Sequence, residues 1–376
     1  MMKIGILTHF HNSTNYGGVL QAYALCKYLN DRGYSAEQIL YKHNAIKVCN
    51  SQVTYKDLFK KFKLRLTKEL YRRKNADIRK KMESAFKTFR ESVPHTKHAY
   101  TIDTVGAIAD DYDVLIAGSD QVWNPIWYDP AYMLHFASKH TRKLSYAASI
   151  GINVLDDKQK QIFCNHLCDF EGISVREQSA ADILSPLIGK EVNVCVDPTL
   201  LLTKNEWDEI ASKRKIKEEY AFLYFLGDDM RSRKAAELFA AQKGLKVITI
   251  PDLSGKYRKI DRKINAEYVD GATPEDFISL IKHAEYIFTD SFHACVFSIL
   301  YNKNFFVFRR PGKINMESRI YNLMELFECQ ERFFADDYNV FDDLLLLGSI
   351  DYQREFKKFT LAKQKSVRYL QNVLYE

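Results

Sequence analysis

Glycine and proline are scarce in this 376-residue chain, at 15 and 8 residues. Folds assembled from many short strands and tight turns need more of both, which argues against an all-β sandwich or barrel. Tryptophan is rarer still, at 3, against 23 tyrosines and 24 phenylalanines. No apolar run approaches the length that crosses a bilayer; the longest, such as Leu344–Leu347, fit core segments. The 7 cysteines (Cys26, Cys49, Cys164, Cys168, Cys195, Cys295 and Cys329) are odd in number and include no C-x-x-C pair. They read as reduced thiols of a cytoplasmic protein rather than a disulfide framework. Cys164 and Cys168 flank His166, yet no second ligand pair follows, so two core-facing thiols are expected there and not a zinc site. The first ten residues carry no cleavable signal pattern, which again implies a cytoplasmic location.

What is present is a large apolar inventory. Hydrophobic residues make up 46% of the chain and charged residues 27%, enough burial to offset ordering entropy. At this length two domains are expected. Net charge is +7, but unevenly spread. Lys56 to Lys97 holds 15 Lys/Arg against 5 Asp/Glu, which leaves the remainder slightly acidic. Within that insert Leu58, Phe62, Leu66 and Leu70, and then Ile78, Met82, Phe86 and Phe89, recur at helical spacing. Helices with a basic outer face follow, either as a solvated hairpin or as a peripheral contact with anionic membrane at its inner face. No nucleic-acid-binding motif accompanies the charge, so no nucleic-acid partner is expected.

Strand and helix patterns alternate. Lys3–Thr8 reads as a buried strand, a helix starts at Gly17-Gly18 and ends near Gly33, and a second strand follows at Ala36–Tyr41. Further strands are expected at Asp113–Ala117, Leu144–Ala147, Ile173–Val175 and Val192–Val196. After the break at Asp197-Pro198-Thr199 they continue at Ala221–Leu226, Leu245–Ile250, Tyr286–Thr289 and Phe305–Phe308. The expected fold is α/β, with two doubly wound Rossmann-like domains facing a cleft. The boundaries are 1–197, with the basic helical insert at about 42–100, and 198–350. A helix in 351–376 should pack back toward the first domain.

In such sheets ligands meet the loops after strands, and those loops carry the chemistry. Asn15-Tyr16-Gly17-Gly18 opens a helix whose N–H groups can approach an anion, or simply forms a tight turn. It is not G-x-G-x-x-G, and no acidic residue ends the second strand, so a nicotinamide dinucleotide site is not expected. Gly118-Ser119-Asp120-Gln121-Val122-Trp123-Asn124 clusters groups used in sugar recognition, or builds an Asx turn around a packed indole. Arg176 follows a strand where a helix should start. That is a poor place for a cation unless it points at an anion, the alternative being a surface arginine paired with Glu177. Thr289-Asp290-Ser291-Phe292-His293 places a histidine in the first turn of a helix, where it can exchange protons near neutral pH. Arg309, Arg310, Lys313 and Arg319 crowd eleven residues after the next strand, as an anion pocket or a solvated loop.

As a set, N-Y-G-G-V-L-Q-A-Y-A-L (15–25), G-S-D-Q-V-W-N (118–124), Y-A-A-S-I-G (146–151), I-S-V-R-E (173–177), V-D-P-T-L-L (196–201) and T-D-S-F-H-A (289–294) resemble the polysaccharide pyruvyl transferase family. The resemblance runs over roughly residues 3–325 and implies a glycosyltransferase-B-like fold. It implies transfer of the pyruvate moiety of phosphoenolpyruvate to a sugar diol, forming a ketal on a cell-surface polysaccharide or its lipid-linked precursor. On this basis His293 is the expected acid-base residue. Arg176 and Lys313 are catalytic cations, and Arg176, Ser291, Lys313 and Arg319 bind the donor. Asn15, Gly17, Gly18, Ser119, Asp120 and Trp123 line the acceptor side. No metal or cofactor beyond the donor substrate is expected, since Arg and Lys can stabilise developing charge. The alternatives are a glycosyltransferase using a nucleotide sugar and a non-catalytic glycan-binding protein.

Overall fold

The computed structural model describes residues 1–43, 76–251, 259–310, 318–335 and 340–375. The first half opens with β1 (Lys3–Leu7), α1 (Tyr16–Asn30) and β2 (Ser35–Gln38). Residues Ile4–Leu7 of β1 are all buried, as expected of a strand covered on both faces. The Asn15 carboxamide caps α1 by accepting from the Gly18 N–H at 3.1 Å. Then come α2 (Ala76–Ser92), β3 (Val114–Ala117), β4 (Arg142–Ser145), α3 (Asp157–Leu167), β5 (Ser174–Val175), α4 (Gln178–Ile188) and β6 (Asn193–Val194).

Strands β2-β1-β3-β4 form one parallel sheet, and bridges from Leu144 to Gly172 and from Ala148 to Val175 attach the β5–β6 pair to it. Bridges Gln38–His95 and Tyr41–Tyr100 lay residues 95–100 beside β2. Counting that segment as the third strand, the order in space is 3-2-1-4-5-6-7, with β6 at the far edge.

The second half contains α5 (Lys204–Asp208), β7 (Tyr220–Tyr224), α6 (Met230–Gln242), β8 (Lys246–Thr249), β9 (Glu267–Tyr268), α7 (Pro274–Lys282), β10 (Tyr286–Thr289), α8 (Phe292–Leu300), β11 (Asn304–Phe308), α9 (Ser318–Leu326), β12 (Phe333–Phe334), α10 (Val340–Leu346) and α11 (Lys357–Tyr375). Its parallel sheet runs β12-β11-β10-β7-β8-β9, the same doubly wound order. In both sheets the strand order reverses next to the first strand, the place where folds of this kind open a crevice.

An aromatic seam joins the halves. Tyr16 on α1 stacks on Phe277 of α7 at 4.8 Å, and its hydroxyl donates to the Ala272 carbonyl at 2.8 Å. Trp207 is bracketed by Tyr23 at 5.7 Å and Phe297 at 4.8 Å. Within the basic insert, α2 is a packed element. Its Met82, Phe86 and Phe89 are buried, with Phe86 4.9 Å from Tyr16 and Phe89 5.8 Å from Tyr23. Leu58, Phe62, Leu66 and Leu70 lie outside the described residues.

Helix α11 crosses to the first sheet. The Tyr369 hydroxyl donates to the Ser145 carbonyl at 2.8 Å, and the Val196 N–H donates to the Ser366 hydroxyl at 2.9 Å. Tyr369→Phe deletes one of these buried bonds, while the Ser174 hydroxyl still donates to the same carbonyl at 2.9 Å. It should cost about 1–2 kcal/mol in urea unfolding, and an unchanged midpoint would show that this contact does not secure the helix.

Candidate functional site

The loops after β3, β5, β6 and β10 meet α9 and the start of α1. Arg176 directly follows β5, and its N–H still pairs with the Ala148 carbonyl at 3.2 Å. It therefore precedes the helix, whose N-cap is Glu177, instead of belonging to the first turn. The anion it points at is internal. Its Nη1 donates to Asp197 Oδ2 at 2.6 Å, with Glu177 Oε1 3.6 Å from Nε and Asp120 Oδ1 3.8 Å from Nη2. Nε and Nη2 are buried and make no hydrogen bond, so two of the three guanidinium nitrogens retain donor capacity. The guanidinium also lies 4.7 Å from the centre of the Phe292 ring.

Arg319, from the first turn of α9, approaches the same ring at 5.9 Å. With the Gln121 carboxamide oxygen turned toward it, Arg319 donates to that oxygen at 2.8 and 3.0 Å. Burial and the neighbouring Arg176 pull its pKa down to about 10, so it stays a cation at neutral pH.

His293 enters from the second half. Its helix is capped by Ser291, whose hydroxyl accepts from the Ala294 N–H at 3.5 Å. Its Nε2 stands 3.5 Å from Asp197 Oδ2, and its Nδ1 lies against Gly17. A β-carbon at Gly17 would sit 1.9 Å from that Nδ1, so this contact admits only glycine. Asp197 is fully buried. Its Oδ1 accepts from the Thr199 N–H at 3.0 Å and the Thr199 hydroxyl at 2.6 Å. Burial alone would raise its pKa, but His293, Arg176 and Thr199 together hold it well below the ordinary range. Burial likewise works against Asp120, and Arg176, His9, His293 and Arg319 outweigh it.

A depressed carboxylate stabilises the fold above its unfolded pKa of about 3.9, and that contribution is lost as pH falls toward the lower folded value. Urea unfolding of the wild type should therefore weaken from about pH 5 to pH 3. Asp197→Asn should flatten that slope, and an equally steep slope in the variant would remove Asp197 as its source.

A cavity of about 480 Å³ adjoins this cluster, lined among others by Arg176, Asp197, Phe292, Arg319, Leu323 and Leu361. Among the described residues no group of His, Cys, Asp and Glu is arranged to hold a metal ion.

The structure brings Arg176, Arg319, His293, Asp120 and Gly17 together. Lys313 lies outside the described residues. Five expected contacts turn out to be internal. Trp123 is 1% exposed, its indole N–H donates to the Tyr132 carbonyl at 2.9 Å, and Phe163 and Phe170 meet its ring edge-on. No face of that ring is open to a sugar. The Ser119 hydroxyl is fully buried on the Ala147 carbonyl at 2.7 Å. Asn15 spends its side chain on the α1 cap, and Ser291 spends its own on the α8 cap. Gly18 packs near the His9 carbonyl and completes the turn.

Sequence reasoning gave Asp197 no role in the site, reading it as a domain break and as part of the V-D-P-T-L-L motif, although an aspartate just beyond a strand was the available signal. It also missed Phe292 and Gln121, and His9 after β1. The His9 ring stacks on Tyr132 at 4.8 Å, and burial, the largest influence, lowers its pKa. In the second sheet, Asp290 bridges the crevice between β7 and β10. It accepts from the Leu226 N–H at 2.7 Å and the Gly227 N–H at 2.6 Å, and Arg310 Nη2 donates to its carbonyl at 2.8 Å.

Two doubly wound domains with a charged cluster between them define a glycosyltransferase-B-like protein. The UDP-GlcNAc 2-epimerase of Methanocaldococcus jannaschii is similar over 100% of both chains, at 11% identity and a TM-score of 0.54. The S. aureus MnaA–UDP co-structure is similar over 100% of this chain and 98% of that one, at 13% identity and a TM-score of 0.53. At such identities the likeness concerns the fold. No curated protein sequence matches. The polysaccharide pyruvyl transferase family model matches residues 15–311, and the chain belongs to that family. No helix among the described residues is long and apolar enough to cross a membrane.

Proposed function

We propose that the protein transfers the pyruvate moiety of phosphoenolpyruvate to two hydroxyls of one sugar, forming a ketal on a polysaccharide or its lipid-linked precursor. The observation that carries this reading is the convergence of Arg176, Arg319 and His293 from both halves on one buried cluster beside a cavity. The donor has a phosphate and a carboxylate, and guanidinium groups suit both.

In the reaction a proton adds to C3 of the donor, leaving positive charge at C2. One sugar hydroxyl attacks C2 and gives up its proton. The C2–O bond to phosphate breaks, and the second hydroxyl closes the ketal and releases its own proton. Of the two hydroxyl protons, one balances the proton gained at C3 and the other leaves on the phosphate, which departs with its bridging oxygen. His293 serves as the acid and then as the base, Arg176 and Arg319 hold the donor's anionic groups, and Lys313 is a further candidate cation. Asp120, with 17% of its side chain exposed, remains the acceptor-side carboxylate. The donor is a cytoplasmic metabolite, so the reading puts the enzyme in the cytoplasm, with the basic insert as the candidate contact to anionic lipid.

The nucleotide-sugar alternative is less well supported. At the β7–β10 crevice the Asp290 carboxylate already uses two backbone N–H groups of the kind a nucleotide's phosphates would need. A thermal-shift comparison decides between the two donors. Phosphoenolpyruvate should raise the melting temperature and nucleotide sugars should not; the reverse pattern would overturn the proposal.

A further inference from the structure

We propose that Asp197 is the positioning residue for His293, fixing the Nε2 edge of the ring so that Nδ1, over the start of α1, is the atom that exchanges protons with substrate. This rests on His293 being the acid-base group. Asp197 is suited to the task by its own restraint. One carboxylate oxygen is tied to the Thr199 N–H and hydroxyl, and the other faces Arg176 Nη1 at 2.6 Å and His293 Nε2 at 3.5 Å. The residue stands at the junction of the two halves, so a single fixed carboxylate sets a cation from the first domain and an imidazole from the second.

A carboxylate beside Nε2 favours the tautomer with its proton there. In the neutral ring the lone pair then belongs to Nδ1. Nε2 is sealed from solvent and makes no hydrogen bond, so Asp197 Oδ2 at 3.5 Å acts on it by charge, while 10% of the side chain remains exposed. Nδ1 faces the helix α1 backbone at Gly17, where any β-carbon would collide with it. Only the absence of a side chain at Gly17 lets the ring take this position against the start of α1. In the proton cycle the imidazolium gives its Nδ1 proton to C3 of the donor and regains one at Nδ1 from the attacking hydroxyl. The Nε2 proton stays on the Asp197 side throughout.

The charged groups around the ring are Asp197 from the junction, Asp120 from the loop after β3 and Arg176 from the end of β5. Helix α1 presents Tyr16, Gly17 and Gly18, none of them charged at neutral pH.

The test is the nitrogen–proton correlation spectrum of histidine side chains in the full chain, with His293 assigned by its loss in His293→Gln. The expected result is a neutral His293 protonated at Nε2. In Asp197→Asn this preference should weaken. A wild-type ring protonated at Nδ1 would overturn the proposal even if no variant folds. So would a folded Asp197→Asn protein with an unaltered His293 signal. The spectrum needs no turnover, so a failure of the phosphoenolpyruvate reading shows up separately, as absent phosphate release. With a working acceptor, Asp197→Asn should lower kcat by about tenfold or more, by analogy with losing a residue that orients a working histidine. A kcat equal to wild type would also overturn the assignment.

Discussion

Turnover in His293→Gln is expected to fall by about 10²–10⁴-fold while both sheets stay folded. The ring is buried between Asp197 and the start of α1, and glutamine fits a similar volume without offering a titratable nitrogen. The ion pair between Arg176 and Asp197 at 2.6 Å does not depend on the imidazole and survives the change. The stability cost should therefore stay near that of one lost polar contact, about 1 kcal/mol. Phosphate release with a working acceptor, alongside a thermal melt, separates the two effects. Near wild-type release from a folded variant would remove His293 from the reaction.

Arg176→Ala should be costly in two ways. The sequence alone leads one to expect a loss of donor use far greater than any loss of stability. The structure changes that balance, because this guanidinium is the shared partner of Asp120, Glu177 and Asp197, all held within 3.8 Å. Removing it leaves buried carboxylates facing one another. Breaking a buried pair in this way typically costs about 3–5 kcal/mol. The penalty should shrink below about pH 4, where carboxylates that have lost their cation take up protons. Denaturant unfolding at pH 7 and pH 3.5 reads both. A loss below about 1 kcal/mol at neutral pH would mean the cluster is less tightly coupled than its geometry implies.

Much of the architecture could be read from periodicity. The buried run at Val114–Ala117 and the alternation on both sides of Asp197-Pro198 are local patterns, and local patterns survive into the fold. His293 and Arg176 were legible because each sits where a strand ends. Trp123 was misjudged for a physical reason. Its loop carries sugar-binding residue types, but only the tertiary packing of Phe163 and Phe170 reveals that the indole is enclosed. Asp197 was hidden in a different way. Asp-Pro reads locally as a turn, and its Thr199 contacts are indeed a turn, whereas its second oxygen reaches residues 21 and 96 positions away in the chain. The role of Gly17 was likewise out of reach, since the group that demands a glycine lies in the other domain.

The central claim is transfer from phosphoenolpyruvate with cleavage of its C2–O bond. The most direct measurement supplies phosphoenolpyruvate labelled with heavy oxygen at the bridging position, together with a glycan acceptor, and follows the phosphate released. The account predicts acceptor-dependent release with the label in the phosphate and a matching mass gain on the glycan. Phosphate without the label, or release indifferent to the acceptor, would contradict it.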